Sequence, residues 1–396
     1  MRAFICGVLA LAAPCALAQA PSTWSGTLDI PGRGEVRSVA IASNGDIVVG
    51  GYVDRGEESV QASELDGLLA RYAPNGQLIW ERRIGGEFRD EVAALEIAPD
   101  GSIFVAGPRD VQLRQSIQDA ASYVSRYAAD GSLIWSTPFD DPDGPQVWLT
   151  SLRLLDSGSL LVAGGKKFSW SGDHDAYIAL VNDAGERIWQ QWPAPYPDGV
   201  NPNVPGKSMT VRSASGGHLY QEHGRLSRLT SDNKIELIAT QPDMVGPLAA
   251  RCIVVELERG HRTEDTCGPM NDYAMHMTVA SFPFTASRAG AVATGDGVVR
   301  KYDDAGNVVW EFAPLSDDGD GFNAAAPTSD GGVVVVGYRL HGRTAERHNW
   351  DGVLVRLDKY GNELWRREFD AGKRDELTDL ALLSDGSIIA VGYTTP

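Results

Sequence analysis

The sequence predicts an all-β chain: a seven-bladed β-propeller of four-stranded antiparallel blades, with the ring closed by the N-terminal strand. Three observations carry that prediction. A pattern that opens as Asp66-Gly67-Leu68-Leu69-Ala70-Arg71-Tyr72 and closes at Trp80 returns from Ala121 to Trp135, Asp175 to Trp189, Asp296 to Trp310 and Asp351 to Trp365. In every copy a glycine stands four residues before the tryptophan: Gly76, Gly131, Gly185, Gly306 and Gly361. A second hairpin alternates with this one and turns at Asn44-Gly45, Asp100-Gly101, Ser157-Gly158, Asp330-Gly331 and Asp385-Gly386. Repetition at a fixed period is the signature of an array or a propeller.

Each element has a local reason. The first pattern reads as an apolar alternating run, a glycine turn and a second run ending in tryptophan, which is a β-hairpin. In the second hairpin another glycine follows six residues after the turn glycine, at Gly51, Gly107, Gly164, Gly337 and Gly392. A glycine fixed inside a strand marks a bulge or a close backbone approach. Each unit therefore holds four strands, for example Glu91 to Ala98, Ser102 to Gly107, Tyr123 to Tyr127 and Leu133 to Ser136.

The tryptophans count the units. Trp24, Trp80, Trp135 and Trp189 are 54 to 56 residues apart, as are Trp310 and Trp365. The gap of 121 residues between Trp189 and Trp310 holds a worn copy, in which Asn233 replaces the turn glycine and Leu237 the tryptophan. That makes seven units. The chain enters inside a repeat, so the Trp24 strand is expected to complete the last blade. One strand of that blade has no counterpart after Gly392.

The first residues read as a leader. Arg2 gives a positive start, Ala3 to Ala13 is apolar, and Ala16-Leu17-Ala18 is a small-x-small cleavage site. The expected domains are residues 1–18 as signal peptide and 19–396 as one propeller. Pro14 before Cys15 argues against a lipid anchor, and the apolar run is short for a membrane span. The expectation is an exported monomer, periplasmic or extracellular. Loss of Arg2 leaves 34 of the 35 basic residues against 53 acidic ones, a net charge of −19. Such a surface repels nucleic acid and anionic membrane.

Cleavage leaves two cysteines, Cys252 and Cys267, which in an oxidising compartment are expected to pair. Between Leu237 and Trp310 the chain is about 18 residues longer than one unit. A two-residue turn at Arg259-Gly260 would set Glu258 opposite His261 and Cys252 opposite Cys267. The expectation is an inserted disulfide hairpin at about 249–270.

The repeat resembles that of secreted bacterial propellers and, more loosely, the quinoprotein-type propeller repeats with their Gly-x-x-x-Trp ending. The resemblance implies the fold but no single activity. Quinoprotein dehydrogenases carry a vicinal cysteine pair that this chain lacks, so no quinone cofactor is carried over, and none of any other kind is expected.

The alternate connections are long and varied, as at Asp54 to Leu65, Arg109 to Ala120, Lys166 to His174 and Arg339 to Trp350. In a meandering blade they all emerge on one face. Loops on a rigid scaffold are where binding sits. Trp170, His174, Trp192, His348 and Trp350 fall in or beside these connections. They are the candidate ligand-binding residues, as an aromatic platform for a glycan or a protein. Packing of each loop on its own blade is the other reading. No catalytic constellation or metal set interrupts the repeats. The functional expectation is a non-enzymatic propeller that binds a protein or glycan through its long-loop face. The alternative is a carbohydrate-active enzyme with charged residues from several blades converging at the central channel.

Overall fold

The computed structural model describes residues 2–9, 22–28, 34–54, 65–86, 88–109, 121–139, 146–155, 157–167, 174–191, 210–214, 217–222, 225–229, 235–240, 248–256, 261–270, 278–281, 290–295, 298–303, 308–312, 321–344, 347–371 and 374–395. It is all-β. Two strands come first, β1 (Arg2–Leu9) and β2 (Ser22–Leu28). The first four-stranded sheet follows in the order β3 (Gly34–Ile41), β4 (Ile47–Asp54), β5 (Leu65–Tyr72), β6 (Leu78–Ile84). The second sheet is β7 (Ala94–Ile97), β8 (Ile103–Arg109), β9 (Ala121–Tyr127), β10 (Leu133–Pro138). The third is β11 (Gln146–Leu154), β12 (Leu160–Lys167), β13 (His174–Val181), β14 (Arg187–Gln191). The fourth is β15 (Thr210–Ala214), β16 (Gly217–Glu222), β17 (Arg225–Leu229), β18 (Ile235–Thr240).

A two-stranded hairpin, β19 (Leu248–Glu256) and β20 (His261–Met270), precedes the fifth sheet. That sheet is β21 (Thr278–Ser281), β22 (Gly290–Gly295), β23 (Val298–Asp303), β24 (Val308–Phe312). The rest is an eight-stranded sheet. One half is β25 (Gly321–Pro327), β26 (Val333–Thr344), β27 (Arg347–Leu357) and β28 (Glu363–Phe369). The other is β29 (Arg374–Leu382) and β30 (Ile388–Thr395), with β1 paired to β30 and β2 to β1. A single parallel bridge, Trp350 to Arg374, joins the halves.

Arg2–Leu9, expected to leave with the leader, thus stands between β30 and β2 in the strand position that has no counterpart after Gly392. The β19–β20 hairpin differs from expectation in register. Glu256 lies opposite His261, so the connection takes four residues instead of two, and Cys252 faces Asp265 instead of Cys267.

Sheets pack face to face in sequence order. Val48 and Leu69 of the first share a core with Ile103, Val105 and Tyr123 of the second. Phe104 and Val124 of the second pack with Leu149, Val162 and Tyr177 of the third. The last half packs on the first sheet: Ile389 and Val391 join Val36, Val49 and Leu68. There the Val39 N–H donates to Asp379 at 3.0 Å, and the Thr378 hydroxyl donates to the Val36 carbonyl at 2.6 Å.

The tight turns share one build. In the first, Gly45 N–H donates to the Ala42 carbonyl and Ala42 N–H to the Asp46 carbonyl, both at 2.8 Å. Gly45 takes φ +87°. This is a type I turn closed by a left-handed residue, which glycine adopts without steric cost. Ahead of the glycine, a side-chain oxygen of Asn44, Asp100, Asp130 or Asp385 accepts the N–H two residues on. Those bonds hold the carboxyls of Asp100, Asp130 and Asp385 below their usual range: Ser102 and Ser132 hydroxyls are the main cause for the first two, and the Ser387 N–H for the third. A depressed carboxyl stabilises the fold above its unfolded pKa and loses that contribution as pH falls through the folded value. Stability is therefore expected to drop as pH falls below about 4. Asparagine at all three positions keeps the acceptor but cannot titrate. It should flatten that acid limb, as read by denaturant midpoint against pH. An unchanged slope would refute the assignment.

The tryptophans fasten one sheet to the next. Trp80 Nε1 donates to the Ala129 carbonyl, Trp135 Nε1 to Asp183 and Trp310 Nε1 to Lys359, each at 3.0 Å. In each case the acceptor lies in the following unit's outer turn, and the indole covers that turn's glycine. A Cβ at Gly131 would meet Trp80 at 3.1 Å; at Gly185 it would meet Trp135, and at Gly361 Trp310, both at 2.7 Å. At Trp80 and Trp135 the next-but-one side chain adds a second bond: Arg82 Nε donates to the Gly131 carbonyl at 3.0 Å and the Thr137 hydroxyl to that of Gly185 at 2.6 Å. A bulge just before the tryptophan aims it. Ile79, Ile134, Ile188, Val309 and Leu364 are the unpaired residues.

Candidate binding site

In a meander the tight turns lie at one end of the sheet, and the long connections at the other. Glu35 lies opposite Tyr52, two residues before β4 ends at Asp54, so it sits at the long-connection end. Its counterparts follow from the strand glycines. A Cβ at Gly51, Gly107, Gly164, Gly337 or Gly392 would strike the carbonyl of Glu35, Glu91, Trp148, Gly321 or Glu376 respectively. Glu376 on β29, Glu35 on β3 and Glu91, just ahead of β7, thus lie at one level.

These glutamates are knitted together by arginines. Arg37 Nη2 lies 2.9 Å from Glu35, and its Nε 3.3 Å from Glu91 in the neighbouring sheet. Arg89 Nη2 lies 3.2 Å from the other Glu91 oxygen. Arg374 Nη2 is 3.5 Å from Glu376 Oε2, which also accepts the Tyr393 hydroxyl. Asn323 reaches across from β25 and donates to Glu376 Oε1 at 2.9 Å. Tyr52 and Tyr393 lie under the guanidiniums: Arg89 and Arg37 sit over the Tyr52 ring at 4.9 and 5.4 Å, and Arg374 over Tyr393 at 5.7 Å.

The chemistry is fixed by this packing. Burial pushes the Tyr52 phenol up, with Glu35 adding to it; burial and Glu376 do the same for Tyr393. Both phenols stay protonated donors. Burial works against the charge of Arg37, but Glu91 and Glu35 outweigh it, and the guanidinium is held above its ordinary pKa. The carboxylates are mostly covered, with side chains 5 to 14% exposed, whereas Arg37 and Arg374 are 39% and 44% exposed. The outer layer of the cluster is thus planar arginine laid over aromatic rings.

Trp350 adjoins this layer. Tyr338 stacks on it at 4.6 Å and 15°, and the Arg374 guanidinium lies 3.7 Å from its ring centre. Two groups at those distances cannot share one face, so both faces of the indole are covered. Trp350 therefore packs as the filling of a stack rather than offering an open platform. The Arg339 to Trp350 connection, expected as a loop, is an extension of the β26–β27 hairpin, and His348 lies on β27 within it. His174 opens β13, opposite Lys167 in the third sheet, away from His348 and Trp350. Trp170 and Trp192 lie outside the described residues.

The glutamate–arginine cluster was missed from sequence. Its signal was present as Arg33-Gly34-Glu35-Val36, Arg89-Asp90-Glu91-Val92 and Arg374-Asp375-Glu376-Leu377. Nearby, Asp351, Asp370 and Asp375 bring ligand atoms within 4.8 Å of one another. Asp375 accepts the Ala371 N–H at 2.9 Å as Asp90 accepts the Gly86 N–H at 2.9 Å in the first connection. That recurring role is structural.

No family model matches the chain. Regulatory protein FlaEY of Caulobacter vibrioides is similar, at 28% identity over 144 residues; the match spans 33% of this chain and 15% of that protein's length. Among solved structures, the Neurospora crassa Pan2 WD40 domain has a TM-score of 0.47 at 11% identity over 92% of this chain and 90% of its own. Sqt1 from Chaetomium thermophilum has a TM-score of 0.47 at 9% identity, covering 92% and 97%. A protein of unknown function from Bacteroides caccae has 0.42 at 13%, covering 82% and 93%. Among the described residues, no helix is long and apolar enough to cross a membrane.

Proposed function

We propose that the chain is a seven-bladed propeller, closed by its N-terminal segment, that binds a protein partner at the long-connection end without catalysing a reaction. The observation that supports this reading is the layer of half-exposed Arg37 and Arg374 held over Tyr52, Tyr393 and Trp350. Arginine, tyrosine and tryptophan dominate the energetics of protein interfaces, and rigid ones bind with little entropic cost. The convergence of charges from several sheets also fits the enzymatic alternative. Against it, each glutamate is already bonded to an arginine or a phenol. A glycosidase acid instead needs an apolar setting that keeps it protonated. A glycan remains the second ligand class. Residues 1–18 carry a leader pattern, which supports export to the periplasm or outside medium; cleavage there would remove Arg2–Leu9 and leave Ser22–Leu28 as the segment that closes the ring. In the exported protein the proposed Cys252–Cys267 bond would join diagonal rather than opposed positions, which free-thiol labelling tests.

Lysine at both Arg37 and Arg374 keeps the charges beside the glutamates but loses the planar stack. Expected is a loss of about ten-fold or more in capture of one specific protein from the envelope fraction, with a midpoint shift under about 1 kcal/mol. Equal capture by wild type and variant would refute the site. Turnover of a glycan, or retention on a glycan array, would move the reading to the second class.

A further inference from the structure

We infer that the last unit holds a strand position, between β30 and β2, built to receive an extended segment of the protein partner with an aspartate five residues before an arginine. This rests on removal of the leader and on the partner reading above. In the uncleaved chain Arg2–Leu9 fills the position, paired with β30 on one side and β2 on the other. Both pairings are antiparallel, so β30 and β2 run parallel to each other. Cleavage after Ala18 leaves a gap one strand wide. Closing it from within would carry β2 about 5 Å sideways into a parallel pairing. The first sheet, by contrast, is antiparallel throughout.

The other units show which side chains the position needs. Arg71, Arg126 and Arg356 stand on third strands, opposite Val48, Phe104 and Val334. Each bonds an aspartate in the turn before the second strand: Arg71 Nε to Asp46 at 2.9 Å, Arg126 Nη2 to Asp100 at 2.7 Å and Arg356 Nη2 to Asp330 at 2.6 Å. Arg126 Nε also donates to the Ser102 hydroxyl at 3.1 Å. The third sheet's turn, Ser157-Gly158-Ser159, has no acid, and Leu180 stands where the arginine would. Turn acid and third-strand arginine come and go together.

The last unit has the acid without the arginine. Its turn, Asp385-Gly386-Ser387, repeats Asp100-Gly101-Ser102. Asp385 accepts the Ser387 N–H at 2.8 Å, and among the described residues no arginine reaches it. The Ser387 hydroxyl is buried and makes no hydrogen bond, though it stands near enough to help lower the Asp385 carboxyl. Opposite Ile389, where the arginine belongs, is Gly7 of the leader, and β2 carries no arginine. At the other end of β30 the Thr394 hydroxyl is also buried without a hydrogen bond. Its counterparts Val53, Lys166 and Arg339 face Asp66, Asp175 and Asp351. The position thus offers a buried hydroxyl to an aspartate at one end, and a carboxylate with a second buried hydroxyl to an arginine at the other.

Within residues 19–396 an aspartate stands five residues before an arginine only at Asp66/Arg71 and Asp351/Arg356, both already on third strands. The occupant therefore comes from outside those residues. The position opens beside Tyr393 and Arg374, which lies opposite Thr395. A partner docked on that arginine layer is placed to feed in the strand, a known mode of peptide capture by a sheet edge.

The purified exported chain and a peptide with the sequence of Leu65–Tyr72 test this. The peptide should bind, and its Arg71→Gln version should bind at least about ten-fold more weakly. Asp385→Asn in the chain should weaken the first peptide by about ten-fold and leave the second nearly unchanged, since only the arginine senses that charge. Equal binding of both peptides, or binding of neither, would overturn the slot. If the chain does not hold its fold alone, the peptides are added on refolding and the same outcomes are read as recovery of the fold. Excess peptide should also cut partner capture by about ten-fold; unaffected capture would overturn the partner as the source. So would a dimer that the peptide disperses, or an intact mass that retains Arg2–Leu9 or adds residues after Pro396. The Arg37→Lys/Arg374→Lys chain separates the two readings. Peptide binding kept with capture lost supports both. Peptide binding kept with capture undiminished overturns the arginine site alone, and capture without peptide binding in the wild type overturns the slot alone.

Discussion

Gly107→Ala is expected to destabilise the protein by about 3 kcal/mol, with Gly158→Ala costing only about 1 kcal/mol. The pair separates two reasons for needing glycine. Gly158 has φ +82° and nothing within 4 Å of an added Cβ, so alanine there meets only backbone strain. Gly107 has an ordinary strand conformation, but its Cβ would lie 2.0 Å from the Glu91 carbonyl oxygen. That obstacle is backbone and cannot swing aside as a flexible side chain could. The strand pair must separate, and it carries Glu91 with it. Some of the loss should therefore appear as disorder in the Arg37–Glu91–Arg89 cluster. Denaturant midpoints at constant m-value measure the two costs. Equal costs would mean that conformation, not contact, sets these glycines.

The fold was legible because its rules are local and repeat. Gly51, Gly107, Gly164, Gly337 and Gly392 were readable as sites of close backbone approach, and all five press on the backbone carbonyl of a neighbouring segment. The five Trp-bearing hairpins were readable from one spacing. Two features were not. The register of β19–β20 depends on turn length, and Arg259-Gly260 fits a two-residue turn as well as part of a four-residue one; one choice shifts Cys252 from Cys267 to Asp265. The strand between β30 and β2 comes from Arg2–Leu9, whose composition reads as a leader and not as a repeat.

The candidate site was less legible because its residues speak only together. Glu35, Arg89 and Glu376 are unremarkable as single charges on a chain with 53 acidic residues. They gain meaning when the sheet register puts them at one level, and when the last half of the chain returns to the first sheet through Asp379 and Thr378. Trp350 stood out instead, since a tryptophan off the repeat attracts notice. Its environment, with Tyr338 on one face and Arg374 on the other, is set by a cross-strand neighbour and by a residue of the following unit. Sequence spacing carries neither.

Trp310→Ala is expected to cost about 4 kcal/mol, the upper range for a buried aromatic. Trp310 is 9% exposed and packs with Val299, Phe322 and Val335 across the interface between two units. Trp310→Phe keeps most of that packing and loses only the bond to the Lys359 carbonyl, about 1 kcal/mol. Gly361→Ala brings two penalties. Its φ of +86° strains any side chain, and the added carbon would stand 2.7 Å from the indole. Only the second depends on Trp310. Combining Trp310→Ala with Gly361→Ala should therefore be sub-additive by about 1–2 kcal/mol, because the collision vanishes with the indole while the backbone strain stays. Additive losses would show that glycine and tryptophan do not act as one fastening. The repeat would then owe its Gly-x-x-x-Trp spacing to the hairpin alone.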